Sequence, residues 1–431
     1  MKKTCLFLLG LCLIGFCACA TPDEPNAPDD PANPDTPSDP SDPSKPDGPL
    51  PPVAEKFVVT IQDDIVGGTV SVYANGEAVT SETRLDPKTM VTVVMIPDDD
   101  HILMGSNIAK GCAARDSFKL TKDTVIRPVF ETIVADIPSK THTICNYNIR
   151  YYNGSSDENN TGNRSWLVRK EKVFEMITSH NMDVCGLEEV TRNQTSDIIA
   201  TLTDYEYVGY GRDNGKENSA KGSGEQTGML YKKSKYVKLD QGRFFLSKTP
   251  HKVSKLSDSS YNRLVMWVKL KVRGTDEVFY FFATHFDHNY KQKNIDVRSA
   301  QADIAINMVP QIAGEYPYFF VGDFNCEITE PAYDKLSTFW TDAFVAMGDE
   351  VQGGYLCNDE QQTAYPTQCE WPGNTYTGLY SSSDKSPKRI DLVLFDDARA
   401  TVSSYMADND NLGLELYPSD HLPVITEMEF K

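Results

Sequence analysis

Asp323 and Asn325 stand two residues apart where the apolar run 318–321 stops at Gly322. Alternate residues on an extended chain share a face, so this acid and this amide point the same way. Alone, an Asp-x-Asn after a strand is more readily a turn. Five other apolar runs carry matching groups at their ends. Run 143–147 leads into Asn148, run 183–187 into Glu188 and Glu189, and run 279–284 into His285, Asp287 and His288. Run 390–395 contains Asp391, and Asp420 and His421 precede run 422–425. Strand ends are where α/β proteins place their chemistry, so six such ends describe one site built by the rims of two sheets.

The residue types narrow the chemistry. Carboxylates and amides are hard oxygen donors, and no cysteine pair stands at metal spacing, so the set suits Mg2+ or Mn2+ rather than structural zinc. Histidines beside carboxylates supply proton transfer and positive charge near neutral pH. Attack of water on a phosphoester needs a cation to neutralise oxygens, an acid to orient or deprotonate water, and donors for developing charge. A serine hydrolase fits worse, because no Gly-x-Ser-x-Gly elbow is present.

Positioning these groups takes an alternation of strands and helices over 140–431. Trp166, Val173, Phe174, Met176 and Ile177 repeat at helical spacing across 166–180. Ahead of this segment the chain is organised differently. Residues 1–19 combine Lys2 and Lys3 with an apolar core too short to span a bilayer, ending in Ala18-Cys19. This resembles a bacterial lipoprotein signal, which implies lipidation at Cys19 and residence at the cell envelope, on a membrane through a lipid anchor. Over 20–55, prolines fall at every third position from Pro22 to Pro49. Polyproline II has three residues per turn, so these prolines line one edge of a semi-rigid spacer rising about 3.1 Å per residue. Over 56–135 short alternating runs at 57–61, 69–73, 90–94 and 124–130, with turns at Gly67-Gly68 and Asn75-Gly76, predict a small all-β domain. It resembles the β-repeat modules of bacterial surface proteins and carries no catalytic cluster.

Charge restricts the partners. With 62 acids against 42 bases the net charge is −20, which repels polyanions and argues against tight, non-specific binding of long nucleic acid. A divalent cation can reverse the sign locally, so nuclease chemistry stays open.

Tyr147-Asn148-Ile149-Arg150, Gly186-Leu187-Glu188-Glu189-Val190, Thr284-His285-Phe286-Asp287-His288, Gly322-Asp323-Phe324-Asn325, Arg389-Ile390-Asp391 and Ser419-Asp420-His421-Leu422-Pro423-Val424 follow one another in this order. The segment resembles the endonuclease/exonuclease/phosphatase, or DNase I-like, superfamily over nearly all of 141–431. The resemblance implies a four-layer α/β/β/α sandwich with its site at one rim. It implies Glu189 as principal metal ligand, with Asn148 and Asp420 beside it and Mg2+ or Mn2+ as cofactor. Asp323 then orients or deprotonates water, and Asn325 touches the phosphate. His285 contacts the phosphoryl group and pairs with Asp391, while His421 is the second histidine, oriented by Glu225. Arg263 matches an arginine near the phosphate. Glu188 stands where the family usually has glutamine and reads as solvated or supporting. Asp287 and His288 read as supporting, and His180 as a helix-end or surface residue. Thr377 stands where the subgroup usually has histidine. The expected partner is a phosphorylated small molecule or a lipid headgroup, with nucleic acid as the alternative, acted on by a monomer. Aromatic residues at 339–340 and 371–380 are the hints of a membrane-facing loop. A catalytically inert adhesin is the reading from another class, against which the intact motifs argue. Cys145 and Cys185 fall in strands as buried thiols, and an exported chain permits a Cys357–Cys369 disulfide.

Overall fold

The computed structural model describes residues 55–431 apart from 109–113, 153, 155–163, 218–221, 289–290, 351, 354–388, 409, 411 and 415–416. Cys19, the proline-rich spacer, Cys112, Cys357, Cys369, Thr377 and the 371–380 aromatics lie outside the described residues.

Period-two alternation in the sequence becomes the layering of the fold. In strand Thr141–Asn148, Ile144 faces one core and Cys145 another; in Tyr318–Asp323, Phe319 and Phe320 divide the same way. Such continuous apolar runs are what a strand covered on both faces requires. One mixed sheet has the order Tyr205–Gly211, Gln226–Lys232, Val184–Val190, Thr141–Asn148, Val424–Phe430, Ala400–Ala407, Gln352–Gly353. The second has the order Tyr236–Phe245, Leu264–Val272, Val278–His285, Tyr318–Asp323, Asp391–Phe395, Thr341–Asp342. Ile144, Met229, Phe281, Phe319, Val321 and Val393 fill the space between them. On the outer face of the first sheet, Trp166, Val173, Phe174 and Ile177 of helix Trp166–Ser179 cover Cys145, Tyr147 and Leu187. On the outer face of the second, Ala302, Ala305 and Val309 of helix Gln292–Ala313 cover Phe282 and Phe320, with Leu336 of helix Pro331–Phe339. The result is the expected α/β/β/α sandwich. Each fully buried large side chain contributes about 1.5–3 kcal/mol.

The sheets approach closely beneath the polar strand ends. A Cβ on Gly186 would lie 2.6 Å from Val321 Cγ2, so a larger residue there would wedge the sheets apart.

Residues 57–132 form short strands around a core of their own, made by Val59, Val72, Val91, Val93, Met95 and Ile126. Glu77–Ala78, Gly68–Ala74, Met90–Pro97 and Arg115–Lys119 make an antiparallel sheet, with His101–Ser106 paired to Pro128–Thr132. Arg273 anchors this module to the sandwich: its Nη1 donates to the carbonyls of Asp98, Asp99 and His101 at 3.1, 2.9 and 2.8 Å. Residues 54–431 accordingly make one compact unit.

The aromatic pair 339–340 divides. Trp340 is buried against Phe320 and donates its indole N–H to Tyr318 Oη at 2.9 Å, so it serves the core, whereas Phe339 is 49% exposed.

Arg298 ties helix Gln292–Ala313 to the strand end at His285. Its fork meets Glu330 at 2.7 Å, and its Nη1 donates to Asp287 O at 3.0 Å, all out of solvent. Removing one partner leaves a buried charge unmatched. Arg298→Ala is therefore expected to cost about 3–5 kcal/mol, read as a lower denaturation midpoint at unchanged m-value.

Candidate active site

Strand register assembles the site. Strand Val278–His285 runs parallel to Tyr318–Asp323, and Asp391–Phe395 antiparallel to it, so His285, Asp323 and Asp391 are neighbours in one row. Each shares the inward face of its strand with Ala283, Val321 or Val393 of the inter-sheet core. The first sheet answers with Asn148, paired to Glu188 beside Glu189. The polar groups thus cap the core between the two sheets.

Tight local geometry accompanies this. A Cβ on Gly322 would lie 2.3 Å from Thr284 O, so the row tolerates no side chain there. Arg150, Glu189 and Asn325 all adopt left-handed backbone conformations, with φ of 55°, 62° and 50°. Such non-glycine conformations cluster at functional sites. Arg169, fully buried, donates to the carbonyls of Ile149, Arg150 and Pro418 at 2.6–2.9 Å. Ser419 Oγ donates to Asn148 O at 2.6 Å, fastening the loop of Asp420 and His421 to the first sheet.

The histidine pairing differs from expectation. His421 Nδ1 lies 2.7 Å from Asp391 Oδ2, whereas His285 Nε2 lies 3.4 Å from Asp323 Oδ2. Asp391 therefore orients His421, because the loop carrying His421 folds over the row from the first sheet. Glu225 is also reassigned: it meets Arg212 at 2.6 Å instead of orienting His421. Asn148 Nδ2 donates to Asp323 Oδ2 at 3.0 Å and to Glu189 Oε1 at 3.3 Å. Asn325 donates its backbone N–H to Asp323 Oδ1 at 2.9 Å and its amide to Phe286 O at 3.2 Å. Arg150 Nη1 lies 3.6 Å from Glu189 Oε2 and 3.5 Å from Asp420 Oδ2.

Glu188 is not solvated. It is fully buried, and burial together with Asp391 and Asp323 pushes its carboxyl well above the usual range. Asp287 supports the loop before Arg263, accepting from Ser259 Oγ at 2.8 Å and Ser260 N at 2.6 Å. Arg263 and His288 sit 3.4 Å apart. His180 caps its helix and meets Asp408 at 2.5 Å. Cys145, Cys185 and Cys326 are buried free thiols.

Charges follow from this packing. Burial, with Asp391 and Glu189 nearby, raises Asp323 to about 7. Burial opposes the charge of His421, but Asp391, Asp323 and Asp420 hold that imidazole well above its usual value. Burial, then Arg263 and Arg212, push His285 well below it. Burial works against Glu189 too, but Arg150 and the Tyr151 N–H keep it below the ordinary carboxylate range. The site can therefore supply a base near neutrality, a protonated imidazole and a neutral one. Asp323, Asp391 and His421 also offer ligand atoms within 4.8 Å of one another, a grouping that could hold a metal ion.

The profile of the endonuclease/exonuclease/phosphatase family matches residues 145–421. The chain belongs to that family. Membership makes it a phosphoesterase or nuclease in the broad sense. Among solved structures, the chain is similar to a mannosyl-6-phosphatase of Bacteroides thetaiotaomicron, with 26% identity, a TM-score of 0.54, and coverage of 67% of this chain and 100% of that one. A Bacteroides vulgatus endonuclease/exonuclease/phosphatase aligns with 26% identity and a TM-score of 0.55, over 68% of this chain and 99% of that one. Among curated proteins, the 3'-5'-exoribonuclease subunit Ccr4 of the Saccharomyces cerevisiae CCR4-Not complex is 20% identical over 346 residues, 70% of this chain and 40% of its own length. The chain spans less than half the length of such curated relatives.

Sequence reading missed Arg150, Arg212 and Tyr261. Arg150 and Tyr261 lay inside motifs, in Tyr147-Asn148-Ile149-Arg150 and Tyr261-Asn262-Arg263-Leu264, whereas Arg212 follows no motif and owes its place to a loop path.

Removing the Asp391 charge lowers the pKa of His421, so its protonated form is lost at lower pH. Asp391→Asn is expected to cut kcat/KM about 10²–10⁴-fold and move the alkaline limb of the pH profile toward acid. A pH–rate series on both proteins checks this.

Proposed function

We propose that this chain is a divalent-metal-dependent phosphoester hydrolase, tethered at the cell envelope, that acts on small phosphorylated sugars or inositol-like phosphates. The observation carrying this reading is the row His285–Asp323–Asp391, with His421 locked to Asp391 at 2.7 Å and Asp323 raised to about 7. The likeness to a mannosyl-6-phosphatase supports the substrate class. The acidic balance supports it as well, since a small phosphate needs no long basic groove.

The residues present fit a hard divalent cation. Glu189, Asn148 and Asp420 offer carboxylate and amide oxygens, and the Arg150 guanidinium lies 3.6 and 3.5 Å from the two carboxylates. Bound there, Mg2+ or Mn2+ would neutralise phosphoryl oxygens. Asp323 is placed to orient and deprotonate water, its Oδ1 held by the Asn325 N–H and its Oδ2 by Asn148. His421, kept protonated by Asp391, donates to an oxygen on which charge develops. His285 stays neutral beside Asp323 and binds the phosphoryl group with Asn325 and Arg263. Residues 1–19 and 20–55 are read as lipoprotein signal, with lipidation at Cys19, and spacer.

A panel of mannose 6-phosphate, inositol phosphates, sphingomyelin and plasmid DNA tests the reading. Phosphate release from the sugar or inositol phosphates is expected to need Mg2+ or Mn2+ and to stop with chelator. Asp323→Ala and His421→Ala should each lose about 10³-fold or more in kcat/KM. Variants that match the wild type would refute the site.

A further inference from the structure

We propose that Arg212 and Arg263, gathered on Tyr261 at the catalytic rim, form an anion subsite that selects a terminal phosphomonoester dianion over a phosphodiester. The proposal rests on the phosphoester reading above and narrows it to one ester class.

The two arginines arrive from different sheets. Gly211 pairs with Gln226 in the first sheet, which sets Arg212 level with Glu225, and the Arg212 N–H donates to Glu225 O at 3.0 Å. In the second sheet Val265 pairs with Thr284, so Arg263 emerges beside His285 and Phe286. The guanidiniums of Arg212 and Arg263 lie 4.1 and 5.7 Å from the Tyr261 ring centroid, and the His288 ring stacks on Tyr261 at 5.6 Å. Asp287 fixes the approach of this loop through Ser259 and Ser260.

Among the described residues, only Arg212 of the two forms an ion pair with a carboxylate. Arg212 meets Glu225 at 2.6 Å, with Asp213 at 4.0 Å. Arg263 is 3% exposed, its Nη2 reaches His288 Nδ1, its Nε has no hydrogen-bond partner, and no ion pair includes it among the described residues. A buried guanidinium without a carboxylate is costly unless an anion completes it. Burial and the neighbouring Arg212 disfavour its charge while Glu225, Asp287 and Asp323 favour it without pairing to it, and the same two arginines, after burial, depress His285. In a chain of net charge −20, Arg212 and Arg263 gather on Tyr261, while Glu189 and Asp420 are grouped about Arg150. The rim thus carries carboxylate ligands for a cation in one cluster and guanidinium donors for a phosphate in another.

That polarity separates ester classes. A phosphomonoester carries about two negative charges at neutral pH and presents three terminal oxygens. A diester carries one charge and presents two such oxygens. The planar fork of an arginine takes two oxygens at once. With Arg263 engaged on the reacting phosphoryl group, Arg212, whose Nη1 meets Glu225, gains a second anionic ligand only when the third terminal oxygen is unesterified.

The test compares p-nitrophenyl phosphate with methyl p-nitrophenyl phosphate, which share a leaving group, in wild type, Arg212→Gln and Arg212→Lys. Inorganic phosphate binding in the presence of Mg2+ is measured alongside by calorimetry. Arg212→Gln is expected to lower the monoester-to-diester ratio of kcat/KM about tenfold and to weaken phosphate binding about tenfold, the scale of one charge-assisted hydrogen bond. Arg212→Lys should restore part of both. An unchanged ratio with unchanged phosphate binding overturns the subsite and leaves Arg212 as a partner of Glu225 alone. Phosphate binding that weakens in a protein whose wild type hydrolyses neither ester supports the subsite while sinking the hydrolase reading. A wild type that binds no phosphate contradicts the subsite outright. Should Arg212→Gln not fold, Tyr261→Leu removes the ring beneath both guanidiniums, keeps Glu225 paired, and is read by the same ratio.

Discussion

The pairing register of three strands governs everything at this rim. Asp323 has His285 as its partner on one side and Asp391 on the other. A slip of one residue in either pairing would turn an acid or imidazole from the inter-sheet space to the helix-covered face. The aromatic core enforces the register, because Phe319 and Phe320 must face different cores. Gly322 makes the row possible by allowing the strand within contact of Thr284 O. Core packing and catalytic geometry are therefore the same constraint seen at two depths.

The cost of that arrangement is concentrated charge. Glu188, Asp323 and Asp391 are buried together, and both Glu188 and Asp323 are pushed upward as a result. Asp323 has a folded pKa above its unfolded value, so the folded state binds more protons. Its contribution to stability falls as pH rises from about 4 to about 7. The same burial brings the titration of this carboxyl near neutrality, as the proposed base role requires. Buried arginines hold the loops that deliver the remaining groups: Arg169 to three carbonyls, Arg298 to Glu330, and Arg389 to Asp342 at 2.8 Å just before Asp391.

Strand ends and their polar residues were legible in the sequence because apolar runs stop abruptly at Asn148, Glu189, His285 and Asp323. Layering was legible as well, since continuous apolar runs demand cover on both faces. What sequence could not supply is which strand lies beside which. The pairing of His421 with Asp391 follows from a loop of the first sheet crossing onto the second, which no periodicity encodes. Arg212 and Tyr261 meet only because two loops from separate sheets converge. Glu188 looked solvated because a charged residue rarely lies inside, and it lies inside because Gly186 and Glu188 share the inward face of their strand.

The central claim is that this rim directs water onto phosphorus. Hydrolysis of a small phosphomonoester in ¹⁸O-labelled water, followed by mass spectrometry of both products, tests it most directly. The account predicts one labelled oxygen in the released phosphate and none in the alcohol. Label in the alcohol would mean cleavage of the carbon–oxygen bond and would contradict the roles given to Asp323 and His421.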